Sequence, residues 1–181
     1  MSTSLAADIL REMELNDFKM INPHKDIFIE QWVRFRCMFG CSNYGKSGSC
    51  PPAVPSVEEC REAIMGYETA ILIHRNIPFE SKEAYDELNN QFHRKLLDAE
   101  RDLFLAGYYK ALLLSHTDCH ICASCKADGN RENCLFKAKS RPSVEAMGID
   151  VFKTARSAGY EIDVVRDFRC NTNRFAVILL E

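Results

Sequence analysis

Long apolar runs are missing from this 181-residue chain. None approaches the ~18–20 residues that span a bilayer, and the opening MSTSLAADILREMELND lacks the apolar segment of a secretory leader. The expectation is a cytoplasmic protein without membrane association. A cationic surplus is missing too, since 23 Lys and Arg stand against 26 Asp and Glu, for a net charge of −3. Non-specific nucleic-acid binding needs excess cationic side chains to displace counterions, so nucleic acid is not an expected partner. Glycine and proline are sparse, eight and six, too few for a disordered or collagen-like chain. No Ser/His/Asp set or carboxylate pair can be placed from the sequence. Catalytic residues are therefore unassigned, and enzyme activity is undecided at this level.

Cysteine is what the chain has in abundance, with nine. Cytoplasmic reductants keep thiols from pairing, so an odd count at tight spacing points to metal rather than to disulfides. The length suits one domain of ~100–200 residues. Residues 1–181 read as a single metal-binding α/β unit, with cysteine-rich loops at 37–60 and 119–134 and no internal repeat or linker.

The expected fold is one mixed β-sheet with packed helices. Leu5, Ile9 and Met13 mark a short N-terminal helix, and one or two strands are expected within Phe18–Phe35. PSVEECREAIMG (55–66) reads as a helix and GYETAILIHR (66–75) as a strand. The next helix runs from about Ser81 to Ala106, where Tyr85, Leu88, Phe92, Leu96, Ala99 and Leu103 step by three or four until Gly107 stops it. YYKALLLS (108–115) is a second strand that leads into the late cysteines. Ser143 can cap a helix to about Ala158, and EIDVV (161–165) and RFAVILLE (174–181) read as closing strands.

Cys119, Cys122 and Cys125 form C-x2-C-x2-C, with Cys134 following eight residues later. Three such thiolates can each bind a different iron of a [4Fe-4S] cubane, whereas four-thiolate zinc more often uses two separated C-x2-C knuckles. His116 and His120 flank this loop and read as hydrogen-bonding groups, because four cysteines already fill the site. Cys37, Cys41 and Cys50 form a second, less diagnostic set, expected within one glycine-rich loop. Cys60, from the following helix, is either its fourth ligand or a core residue in phase with Val57 and Ile64. Cys170 is a further candidate. If neither ligates, one iron is left as a Lewis-acid position.

GCSNYGKS (40–47) satisfies G-x-x-x-x-G-K-[ST] literally. Its helix is denied by Gly48, Pro51 and Pro52, so a nucleotide-binding P-loop ranks third among the readings. Lys46 and Tyr44 remain possible contacts to a cluster or substrate. Glu145 reads equally as a helix N-terminal charge or a functional acid.

CMFGCSNYGKSGSCPP (37–52), CHICASCKADGNRENC (119–134) and RPSVEAMGIDV (141–151) together resemble a family of cysteine-rich predicted metal-binding proteins found widely in anaerobes. The resemblance covers nearly the whole chain and implies metal binding, with iron–sulfur the favoured chemistry, but it transfers no reaction. Gly48 stands where relatives are expected to carry a larger residue. The leading expectation is two [4Fe-4S] clusters serving electron transfer with a redox partner protein, or redox or Lewis-acid chemistry on a small molecule. A zinc-stabilised interaction module without turnover is the alternative.

Overall fold

The computed structural model describes residues 3–122, 124–164 and 172–181. One four-stranded sheet organises them, in the order β1 (Phe18–Ile21), β2 (Ala70–Ile77), β4 (Thr172–Leu179), β3 (Leu112–Leu114). Every hydrogen-bonded neighbour is antiparallel. β2 and β3 consequently run parallel to each other on either side of β4, which splits the expected β-α-β unit. The α/β class with one sheet and packed helices is as the sequence indicates.

Apolar residues occupy both alternating faces of β2 and β4, so the sheet is covered on both sides. Ala70, Leu72, Phe175, Val177 and Leu179 pack against Val57, Cys60 and Ile64 of α4 (Val57–Met65), with Met147, Ile149 and Ala155. Ile71, Ile73, Ala176 and Ile178 pack against α1 (Thr3–Glu12) and α5 (Lys82–Leu105). On α5 the buried Phe92, Leu96, Ala99 and Leu103 form the predicted stripe, each contributing roughly 1.5–3 kcal/mol of burial or less for alanine. Ser81 Oγ accepts from Ala84 N–H at its start, and Gly107 takes φ 105° just past its end. A Ser56–Glu59 capping box opens α4.

One strand, β1, forms within Phe18–Phe35 as expected, and the rest of that stretch contributes α2 (Pro23–Asp26) and the start of α3 (Gln31–Gly40). Other local expectations need correction. On α1 the buried residues are Ala6, Ala7 and Leu10; Ile9, like Met13 just past the helix, packs partly buried against the same core, whereas Leu5 is 42% exposed. The helix expected from Ser143 is shortened to α6 (Val151–Ser157), because Gly148 adopts φ 82° and Asp150 caps a fresh start by accepting from Lys153 N–H. Glu161–Val164 form no strand, and Ile162 gives its carbonyl to the Arg156 guanidinium instead. Val165 lies outside the described residues. No described helix is long and apolar enough to cross a membrane.

Candidate metal centre

The early cysteines start on a helix rather than in a loop. Cys37 occupies the last turn of α3, and Cys41 follows its end, donating its N–H to Cys37 O at 3.3 Å. Successive turns then fold back, closed by Gly45 N–H to Pro51 O at 2.9 Å, which returns Cys50 to the same place. Cys37, Cys41 and Cys50 line one cavity of about 240 Å³. Burial, reinforced by the Asp118 carboxylate, pushes the Cys50 thiol up to about 12. Burial and then the Cys41 sulfur raise Cys37. Buried thiols that resist ionisation become good ligands only when a cation compensates the thiolate.

The rest of the cavity wall comes from the end of the sheet where β2 and β3 finish and β4 begins. His116 and Asp118 leave β3, Arg174 enters β4, and Tyr44 belongs to the early loop. Glu145 arrives because Ser143 bridges to Ser115 in parallel, with Ser115 N–H to Pro142 O at 2.7 Å and Val144 N–H to Ser115 O at 3.0 Å. Burial raises the Glu145 carboxyl, favouring its protonated form. Burial would also raise Asp118, but hydrogen bonds from His120 and Thr117 outweigh it and hold that carboxyl low. Asn43 Nδ2 donates to Asp118 at 2.8 Å, tying the early loop to the chain just ahead of Cys119. Burial drives His116 down to about 3, so it is neutral. Its Nδ1 and the Arg174 Nε–H are both buried without a partner among the described residues, whereas another Arg174 nitrogen donates to Tyr85 Oη.

Cys119, Cys122, Cys125 and Cys134 gather in the second loop. Burial raises the Cys122 thiol, and the sulfurs of Cys119, Cys125 and Cys134 are close enough to raise it further. A short 3-10 turn, Arg131–Asn133, delivers Cys134, with Asn130 Oδ1 accepting from Glu132 N–H. The two cysteine loops touch. A Cβ on Gly48 would lie 3.1 Å from Arg131 Cα and 3.2 Å from Ala127 Cβ, and one on Gly129 would run into the Gly45 carbonyl. Glycine at 48 thus permits close contact between the loops.

Among the other sequence candidates, Tyr44 lines the cavity and the exposed Lys46 does not. No helix occupies residues 41–56, so the literal phosphate motif lacks the helix it requires. Cys60 sits in the core at 1% exposure, its sulfur near Pro55 O and the Met147 sulfur, and is not part of the cavity wall. Cys170 lies outside the described residues. His116, grouped by sequence with the late loop, belongs spatially to the early cavity. Arg174 and Asp118 carry no motif of their own; adjacency to Cys119 was the only signal for Asp118. Among the described residues, no three His, Cys, Asp or Glu side chains converge tightly enough to hold one metal ion as they stand.

Comparison with curated proteins gives no match, and neither does comparison with solved structures. The model of a protein family does match, across residues 19–180, which include both cysteine sets and all of the sheet but Phe18. Two thiol-rich segments folded against each other are a chemically apt donor set for metal, and the chain belongs to the family described as predicted metal-binding protein (DUF2284).

Proposed function

We propose that this is a cytoplasmic iron–sulfur protein with two [4Fe-4S] sites, one relaying electrons and the other serving as a reaction centre. Cys119, Cys122, Cys125 and Cys134 hold the relay. Cys37, Cys41 and Cys50 hold the second cluster, with one position lacking a cysteine. When bound, such a cluster supplies one-electron redox chemistry and, at an iron without thiolate, a Lewis-acid position.

The observation that carries this reading is the composition of the early cavity wall, where three thiols face His116, Asp118, Glu145 and Arg174. Its 240 Å³ is far more than one water molecule needs, so the cavity has room for a group larger than a single ion. A single zinc with ~2.3 Å bonds would demand sulfurs packed around one point. A cubane spreads its thiolates over separate irons, which suits three cysteines that line one cavity. Arg174 supplies positive charge opposite the thiolates, and Glu145, whose carboxyl burial raises, is a group at the same wall that can exchange a proton. Contact between the loops favours electron passage from one site to the other. Phe39 and Leu135, 82% and 70% exposed, lie beside cysteines of the two sets and favour a partner protein as electron source.

The two sets are tested separately by ligand variants under anaerobic purification. Cys50→Ala and Cys125→Ala should each lose about half of the bound iron and sulfide, because each removes one ligand of one cluster. Full retention of iron in either variant contradicts the assignment of that site.

A further inference from the structure

We propose that His116 Nδ1 is the fourth donor of the early metal centre, completing a Cys37, Cys41, Cys50, His116 ligand set. This rests on the reading that those three cysteines hold a metal, and it makes Lewis-acid chemistry at the fourth position depend on displacement of the imidazole by substrate.

The tautomer follows from a chain of hydrogen bonds. Asn89 Nδ2 donates to Tyr85 O at 2.7 Å, one turn back on α5, which fixes the amide so that its Oδ1 faces His116. His116 Nε2 lies 3.2 Å from that oxygen and therefore carries the proton. The lone pair is left on Nδ1, which is buried and has no partner among the described residues. A buried polar atom without a partner is destabilising, so the arrangement calls for something that accepts this lone pair. Metal-ligating histidines are held in this way, with the far N–H donated to a fixed oxygen that sets the ring's tautomer and direction.

The ring has little freedom to do anything else. It is 2% exposed, and Phe92 lies against it with ring centroids 4.6 Å apart. Its place on the chain, one residue past the bridge between Ser115 and Ser143, fixes the backbone that presents it to the cavity. Neutral imidazole is the ligating form, so no proton has to leave for the bond to form. Asn89 is then a positioning residue, acting through His116. A water molecule shared between His116 Nδ1 and Arg174 Nε is the competing occupant, and it would leave the metal without nitrogen.

The test is pulsed electron paramagnetic resonance on the reduced, anaerobically purified full chain, grown with and without 15N-histidine. A histidine nitrogen coupled to a cluster, altered by the isotope, is expected in the parent and in His120→Ala. It should be lost in His116→Ala. Asn89→Ala should keep the coupling while weakening iron retention at the early site about 10-fold, as expected for a second-sphere partner. Absence of histidine coupling in a parent that holds iron at both sites overturns the proposal, whether or not His116→Ala folds. So does coupling that persists in His116→Ala. If Cys50→Ala costs no iron, the three-cysteine site itself is wrong, a failure separable from that of His116.

Discussion

At the scale of single residues, burial decides what each cysteine can do. Cys60 is in helical phase with Val57 and Ile64 and packs among them, so Cys60→Ala should cost about 1 kcal/mol by denaturant titration and release no metal. Loss of iron in that variant would return it to the ligand set. Its core role was legible in the sequence because the i, i+3, i+7 pattern is local. The location of His116 was not, since its neighbours on the chain are the late cysteines and its neighbours in space come from α3, α5 and β4. Glycine 129 is equally telling. With φ at 69° and the Gly45 backbone against it, Gly129→Ala should destabilise the protein by about 2 kcal/mol. It should also loosen metal at both sites, because it separates the loops; unchanged stability and metal content would show that the contact is dispensable.

At the scale of elements, the strands and helices with strong periodicity were readable and those interrupted by special residues were not. β2, α4 and α5 lie where alternation or capping marks them. The stretch from Ser143 mimics a helix start, yet Ser143 pairs with Ser115 and Gly148 turns left-handed, so the helix restarts at Asp150. That restart was available in the sequence as Gly148 followed by a capping aspartate. One ion pair ties these elements to the late loop. Glu100 of α5 accepts from Leu113 N–H at 2.8 Å and from Arg141 in a two-pronged bond at 2.8–3.0 Å. The Glu100 side chain is only 9% exposed, so Arg141→Met leaves a poorly compensated buried carboxylate. A loss of ~3 kcal/mol is expected, read as a lowered denaturation midpoint. A loss below 0.5 kcal/mol would mean the pair behaves as a surface contact.

At the scale of the whole molecule, the sheet is a plate sealed on both faces, with its chemistry gathered at one end. The fold class was legible from alternating and helical patterns, whereas the cavity is assembled from four distant segments and so could not be read from spacing. Away from that end, Asp17 links β1 to the rest through His74 Nδ1 at 2.6 Å and Tyr160 Oη at 2.8 Å. Partial burial raises its carboxyl, but these hydrogen bonds outweigh that and hold it below the ordinary 3.8. A carboxyl depressed by folding contributes stability above its unfolded value and loses it as pH falls through the folded one. Asp17→Asn should therefore be less stable than the parent at pH 7, by about 1 kcal/mol or less for so exposed a group, with the difference vanishing as pH falls below the ordinary 3.8 and through the lowered folded value. A constant difference across that range would exclude the charged form as its source. The central claim, that the two thiol sets hold iron–sulfur clusters, is tested most directly by counting iron and acid-labile sulfide in the anaerobically purified chain beside its absorption spectrum. About eight of each per chain, with a broad band near ~400 nm that bleaches on reduction, is the expected result. A colourless protein with stoichiometric zinc and no sulfide after reconstitution would contradict it.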